Sequence, residues 1–252
     1  MGTGTRPVPP LEPSPVPGAT LVDQMAWIRS NAMPDTHHLV EISRSYVVSS
    51  LPMPISNNVT VVLRSVNGPH TISLPPDTPG HMFLVPNTVT IVLDSGITLE
   101  GSDTDPALVG AALVGVTGTF IMNGGEISDN TGDANGGGVY VRSGGTFIMH
   151  DGTISRNTSG GPGGGVHIAS GGTFYMHGGT ISSNTSGTGG GVHNSGTFRM
   201  SNGVITGNTG GELQHNGTLA QRGTFTNGAF SPLGDLVTTS APLIVVNGVL
   251  QP

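Results

Sequence analysis

His150 and His177 stand 27 residues apart, and Tyr175 lies two residues before His177. Tyr140, His167 and His193 follow one another at intervals of 27 and 26. Rings held at a fixed interval fall in a row if the chain folds with the same period. A row of Tyr and His suits a sugar chain, because ring faces pack on pyranose faces while their polar edges bond hydroxyls. The candidate ligand-binding residues are therefore Tyr140, His167, His193, Tyr175, His150 and His177. The alternative for each row is that the rings only cover neighbouring strands. Two neutral imidazoles also make half of a transition-metal site, but no third ligand accompanies either pair, so neither a metal nor any other cofactor is expected. Glu100, Asp103 and Asp105, in "LEGSDTDP", are oxygen donors spaced for calcium; the other reading is a solvated acidic turn. Asp129 and Arg156, again 27 apart, predict an exposed ion pair of small energy.

Hydrolysis of a glycosidic bond needs two or three carboxylates converging in a groove. Glu126, Asp129, Asp133 and Asp151 occupy different positions of the repeat described below, and the chain has no Lys to serve as a lyase base. Catalysis is not expected. The net charge is −7, and the eight basic residues, all Arg, form no run, so nucleic acid is not an expected partner. No apolar stretch is long enough to span a membrane. The start lacks a basic segment followed by an apolar one, so any export signal is expected to have been removed or to lie on a larger precursor. With no Cys, there is no disulfide framework.

The elements that would hold these residues follow from the apolar pattern. Phe120, Phe147 and Phe174 are 27 apart, and Phe198 follows after 24. Met122, Met149, Met176 and Met200 shadow them. Ile127, Ile154, Ile181 and Ile205 repeat in step, as do Asn130, Asn157, Asn184 and Asn208, while Val139, Val166 and Val192 close each unit. A period in the twenties marks a solenoid. Leucine-rich repeats need a Leu framework that is missing, and helical repeats would not tolerate this much glycine. Each unit parses as three short strands separated by glycine-rich turns, with Phe and Met sharing one strand face. The expected fold is all-β, a right-handed parallel β-helix with three strands per coil and six to seven coils. Asn is expected in the interior, turning a bend in the left-handed region and bonding along its column. That placement removes Asn157 and Asn184 as glycosylation acceptors despite their N-x-S sequons.

Four segments are expected. Residues 1–18 carry six Pro and suggest an extended linker. Residues 19–54 form an N-terminal cap containing a short helix, with Leu21, Met25 and Ile28 on one face. Residues 55–230 form the coils, including "NVTVVLRS" (58–65) and "NTVTIVLDSGITLEG" (87–101). Residues 231–252 end in an apolar strand covering the last coil. Outside lie Thr119, Thr146, Thr173 and Thr197, then Ile121, Ile148, Tyr175 and Arg199, then Asn123, His150, His177 and Ser201. Thr153–Ser155 and Thr180–Ser182 suggest an ice-binding lattice, but Glu126 and Val204 interrupt it.

The stretches "ISDNTGDANGGGVYV" (127–141), "ISRNTSGGPGGGVHI" (154–168) and "ISSNTSGTGGGVHN" (181–194) resemble the F-x-x-N … G-G-[AILV]-x repeat of chlamydial polymorphic outer-membrane proteins, with Ile in place of Phe. The GGTFxMxGGTISxNT texture and "MAWIRSNA" are similar to spirochaetal and gut-bacterial β-helix surface proteins. A looser resemblance runs to β-helical carbohydrate-binding modules of xylan-degrading enzymes. These resemblances imply a secreted or bacterial cell-surface protein, monomeric and joined to other domains in its parent chain. They imply a non-catalytic module for a plant cell-wall polysaccharide such as xylan. A structural or adhesive stalk and a pectate-lyase-like enzyme are the alternatives, since the same fold serves each.

Overall fold

A computed structural model describes residues 14–55, 57–76, 78, 80–102, 112–132 and 135–216, and beyond these the backbone of the strands Thr218–Leu219, Gly223–Thr226, Ala229–Pro232, Leu243–Val246 and Val249–Gln251. The chain is a right-handed parallel β-helix of about six turns. Its strands stack into three long sheets. A first-sheet strand such as Thr146–Met149 leads to a second-sheet strand such as Thr153–Ser155, and then to a third-sheet strand such as Val166–Ile168. A short fourth sheet, Thr131–Gly132, Thr158–Ser159 and Thr185–Ser186, adds to the expected three strands per coil.

Register follows the repeat. Phe120, Phe147, Phe174 and Phe198 pair in succession, continuing the column that runs from His38 through Val61 and Ile91. All four rings are buried, with stacking distances of 5.4, 4.6 and 5.1 Å. The Met column runs back through Leu93 to Leu63. Phe147 and Met149 are buried while Thr146 and Ile148 alternate with them outward, so alternation places the core.

Asparagine lines the bend after the second sheet. The backbone N–H of Asn157 donates to Oδ1 of Asn184 (3.0 Å), and its side-chain amide donates to the carbonyls of Ile127 (3.1 Å) and Ser155 (3.0 Å). Asn184 and Asn208 repeat the pattern. Glu212 closes the column as acceptor for Asn208. The left-handed residue at this bend is not Asn, as expected from sequence, but the residue before it: Asp129 (φ 57°), Arg156 (57°), Ser183 (58°) and Gly207 (68°). Keeping Asn out of that conformation aims its side chain inward, where every polar atom finds a partner.

The glycine triplets face this ladder. A Cβ on Gly165 would meet the Gly191 carbonyl oxygen at 2.7 Å, Ile181 Cγ2 at 2.9 Å and Asn184 Nδ2 at 3.0 Å. Gly138 and Gly191 are crowded in the same way. The triplets are therefore ordered, with Gly165 N–H donating to the Gly190 carbonyl (2.9 Å) and Gly191 to Gly211 (3.0 Å).

A helix, Leu21–Asn31, covers the first coil through buried Leu21, Met25 and Ile28, and Thr20 and Asp23 form a reciprocal capping box at its start. Ser14–Pro15, within the proline-rich segment, pairs parallel with His37–Ile42 as the first strand of the first sheet. At the far end, Gly223–Thr226 with Ala229–Pro232, and Leu243–Val246 with Val249–Gln251, form antiparallel hairpins on the last strands of the second and third sheets.

Candidate carbohydrate platform

The first sheet turns three columns outward. The first is His37, Thr60, Thr90, Thr119, Thr146, Thr173 and Thr197, in unbroken register. The Thr row is longer than the four positions visible in the repeat, because Thr60 and Thr90 belong to coils with a spacing of about 30 residues. The second column is Val62, Val92, Ile121, Ile148, Tyr175 and Arg199, headed by Leu39, which is buried. Immediately after these strands come Asn123, His150, His177 and Ser201.

Tyr175, His150 and His177 come together here. The His150 and His177 rings, both exposed, stack at 5.4 Å and 18°. Tyr175 lies 6.2 Å from His177 with the rings within 9° of parallel. The Arg199 guanidinium stands 5.7 Å over Tyr175, a cation–π contact that fixes the ring on the surface. Ser201 Oγ lies 2.9 Å from His177 Nδ1. The result is a cluster of two imidazoles one coil apart with Tyr175 beside the second.

The other predicted row is a different kind of site. Tyr140, His167 and His193 pair in register on the third sheet, and the His rings stack at 4.9 Å and 4°. Yet His167 and His193 are each only 6% exposed, which corrects the expectation of an outward-facing platform. The glycine turns lie back against this face: a Cβ on Gly163 would stand 2.9 Å from His167 Cα, and one on Gly189 would stand 3.1 Å from Gln214 Cβ. Only glycine permits that approach, and turn length and φ are not readable from a ring's repeat position. Both Nδ1 atoms are buried without a hydrogen-bond partner. Burial pushes the His167 pKa down to about 4, helped by the neighbouring His193, while the Pro162 carbonyl opposes weakly. Burial, then His215, lowers His193.

Sequence reasoning missed a pair at the head of this row. Gly115 leaves a notch that His81 and Leu84 occupy. The Ala112 carbonyl accepts from His81 Nδ1, and Arg142 Nη2 donates to His81 Nε2 at 2.9 Å. His81 is thus held neutral with its proton on Nδ1, and burial together with Arg142 lowers its pKa against the pull of the Ala112 carbonyl. Arg142 also lies 5.2 Å over Tyr140. No spacing rule links residues 61 apart outside the repeat.

Asp129 and Glu126 share Arg156, whose Nε and Nη2 donate to the two Asp129 oxygens (2.8 Å each) and whose Nη2 also reaches Glu126 (3.1 Å). The arginine holds the Asp129 carboxyl below its ordinary pKa. Asp94 is tied to Arg64 (3.0 Å) and Asn123 (3.1 Å). Among the described residues no three His, Asp or Glu side chains group to hold a metal ion. Of the calcium candidates, Glu100 is exposed at the end of Ile97–Glu100, and Asp103, Asp105 and also Asp133 lie outside the described residues. Among the described residues no helix is long and apolar enough to cross a membrane. No family model, curated protein or solved structure matches the chain.

Proposed function

We propose that the chain is a non-catalytic polysaccharide-binding module that lays an extended glycan along the outward face of the first sheet, across Tyr175, His150 and His177. One observation carries the reading: two exposed imidazoles, His150 and His177, stand one coil apart and nearly parallel, with the half-buried Tyr175 ring beside His177 in the same coil. The rings together offer apolar surface and polar edges to a glycan, and the flanking Thr146, Thr173 and Thr197 hydroxyls supply hydrogen bonds. The tying of Glu126 and Asp129 to one arginine argues against acid–base cleavage on the coils. Resemblance to exported bacterial β-helix proteins and to xylan-binding modules supports a secreted or surface location and a plant cell-wall ligand such as xylan, within a larger monomeric parent.

Affinity electrophoresis on xylan, pectin and β-glucan tests the reading. Retardation of the native chain on at least one glycan is expected, with Tyr175→Ala weakening it about tenfold, the scale of a lost aromatic contact with its buried area. Tyr140→Ala, on the covered third sheet, is expected to leave it unchanged. Equal retardation of native and Tyr175→Ala chains contradicts the platform. No retardation on any glycan favours the stalk reading, which the unbroken sheets of the coil also support.

A further inference from the structure

A groove lies on the same sheet but at its N-terminal end, lined by Asp35, His37, Asn58, Thr60, Thr88, Thr90 and Thr119, among others. Its volume is about 370 Å³, at the small end of ligand sites. The floor is the head of the threonine column, Thr60, Thr90 and Thr119, with His37 in the same register. The wall is the corner position two residues before each column member: Asp35, Asn58 and Thr88.

That corner is left-handed in five of the seven coils from Asp35 to Ser195, Thr117 and Ser195 being the exceptions. In two later coils glycine occupies it, at Gly144 (φ 80°) and Gly171 (φ 81°). In the N-terminal coils it is Asp35 (61°), Asn58 (55°) and Thr88 (66°). Asn and Asp tolerate this conformation, but a β-branched Thr is strained there. Three successive coils thus place polar side chains where glycine would fold more easily, and all three side chains face one groove. Strain kept at a polar cleft points from the outlier to a function.

The lining selects the ligand class. Asn58 Nδ2 donates to Asp35 Oδ1 at 2.9 Å, and Thr88 Oγ1 donates to Asn57 Oδ1 at 3.3 Å, so the wall is braced. Asp35 Oδ2 and the hydroxyls of Thr60, Thr90 and Thr119 have no partner among the described residues. No arginine lines the groove, which disfavours phosphate, and a single carboxylate is too little for a metal ion. A carboxylate, an amide, an imidazole and a rank of hydroxyls match the adjacent hydroxyls of a neutral sugar. We propose that this groove is a separate subsite for one or two neutral pyranose units, with Asp35 as the principal acceptor. It stands independently of the Tyr175 platform.

The test is amide chemical-shift mapping of the intact chain with xylobiose, cellobiose and mannobiose, and with inorganic phosphate as a control. At least one disaccharide is expected to shift the amides of Thr60, Thr90 and Thr119. Asp35→Ala is expected to weaken that binding about tenfold, since the acceptor is lost. Thr88→Gly separates binding from folding: it is expected to raise the melting temperature by relieving strain while weakening the sugar. Tyr175→Ala is expected to leave these shifts intact, so failure of the platform and failure of the groove are distinguishable. The inference is overturned if no disaccharide moves these amides, if phosphate alone moves them, or if Asp35→Ala binds as the native chain does.

Discussion

At the scale of single residues, histidine repeated once per coil has opposite fates on two sheets. His150 and His177 remain in solvent, whereas His167 and His193 are sealed under glycine turns. The burial has a pH signature. Above about 6.5, the ordinary His value, His167 is neutral both folded and unfolded. Between 6.5 and about 4 the unfolded chain takes up a proton that the folded chain refuses. Stability therefore falls as pH drops through that window, by at most about 1.4 kcal/mol per pH unit for this residue, and levels off below about 4. Urea midpoints measured from pH 7 to pH 4 are expected to fall less steeply in His167→Leu than in the native chain. Parallel slopes would mean that the ring is solvated. The rows themselves were legible in the sequence because strand period fixes register. Exposure was not, because it depends on where Gly163 and Gly189 carry the neighbouring turn.

At the scale of elements, the Asn ladder and the glycine triplets are one structure. The ladder fills the bend, and the triplets pass so close that a methyl group does not fit. Asn184→Ala leaves the Ile154 carbonyl and the Asn157 N–H without their partners, and is expected to cost about 2–3 kcal/mol. Gly165→Ala is expected to cost a similar amount through steric crowding. Arg156→Gly is expected to change stability by less than about 1 kcal/mol, because an exposed ion pair is lost while a left-handed residue is relieved. Denaturant unfolding of the three variants checks the ranking, and a large loss in Arg156→Gly would show that its ion pair does more than cover the surface. The sequence made this element legible as a column of interior Asn, but assigned the bend conformation to the wrong residue. Asn can adopt that conformation in isolation; here the inward bonds are worth more to it than the turn is, and Asp129, Arg156 and Ser183 take the turn instead.

At the scale of the whole molecule, each coil contacts only its neighbours, so a surface feature gains reach by recurring in register. The platform at Tyr175, His150 and His177 and the groove at Asp35, Asn58 and Thr88 sit on one sheet joined by an unbroken threonine row, while the third sheet is closed by its own turns. The groove escaped the sequence reading because its wall belongs to coils of irregular spacing. Only the shared offset, two residues before Thr60, Thr90 and Thr146, could have shown that Asn58 and Thr88 stand where Gly144 does. Histidine-specific acylation with diethyl pyrocarbonate, read by mass spectrometry with and without saturating xylan, tests the central claim most directly. In the free chain His150 and His177 are expected to react quickly and His167 and His193 slowly; with xylan, His150 and His177 are expected to become protected. Rapid reaction of His167 and His193, or undiminished reaction of His150 and His177 in xylan, would contradict the assignment of the first sheet as the binding face.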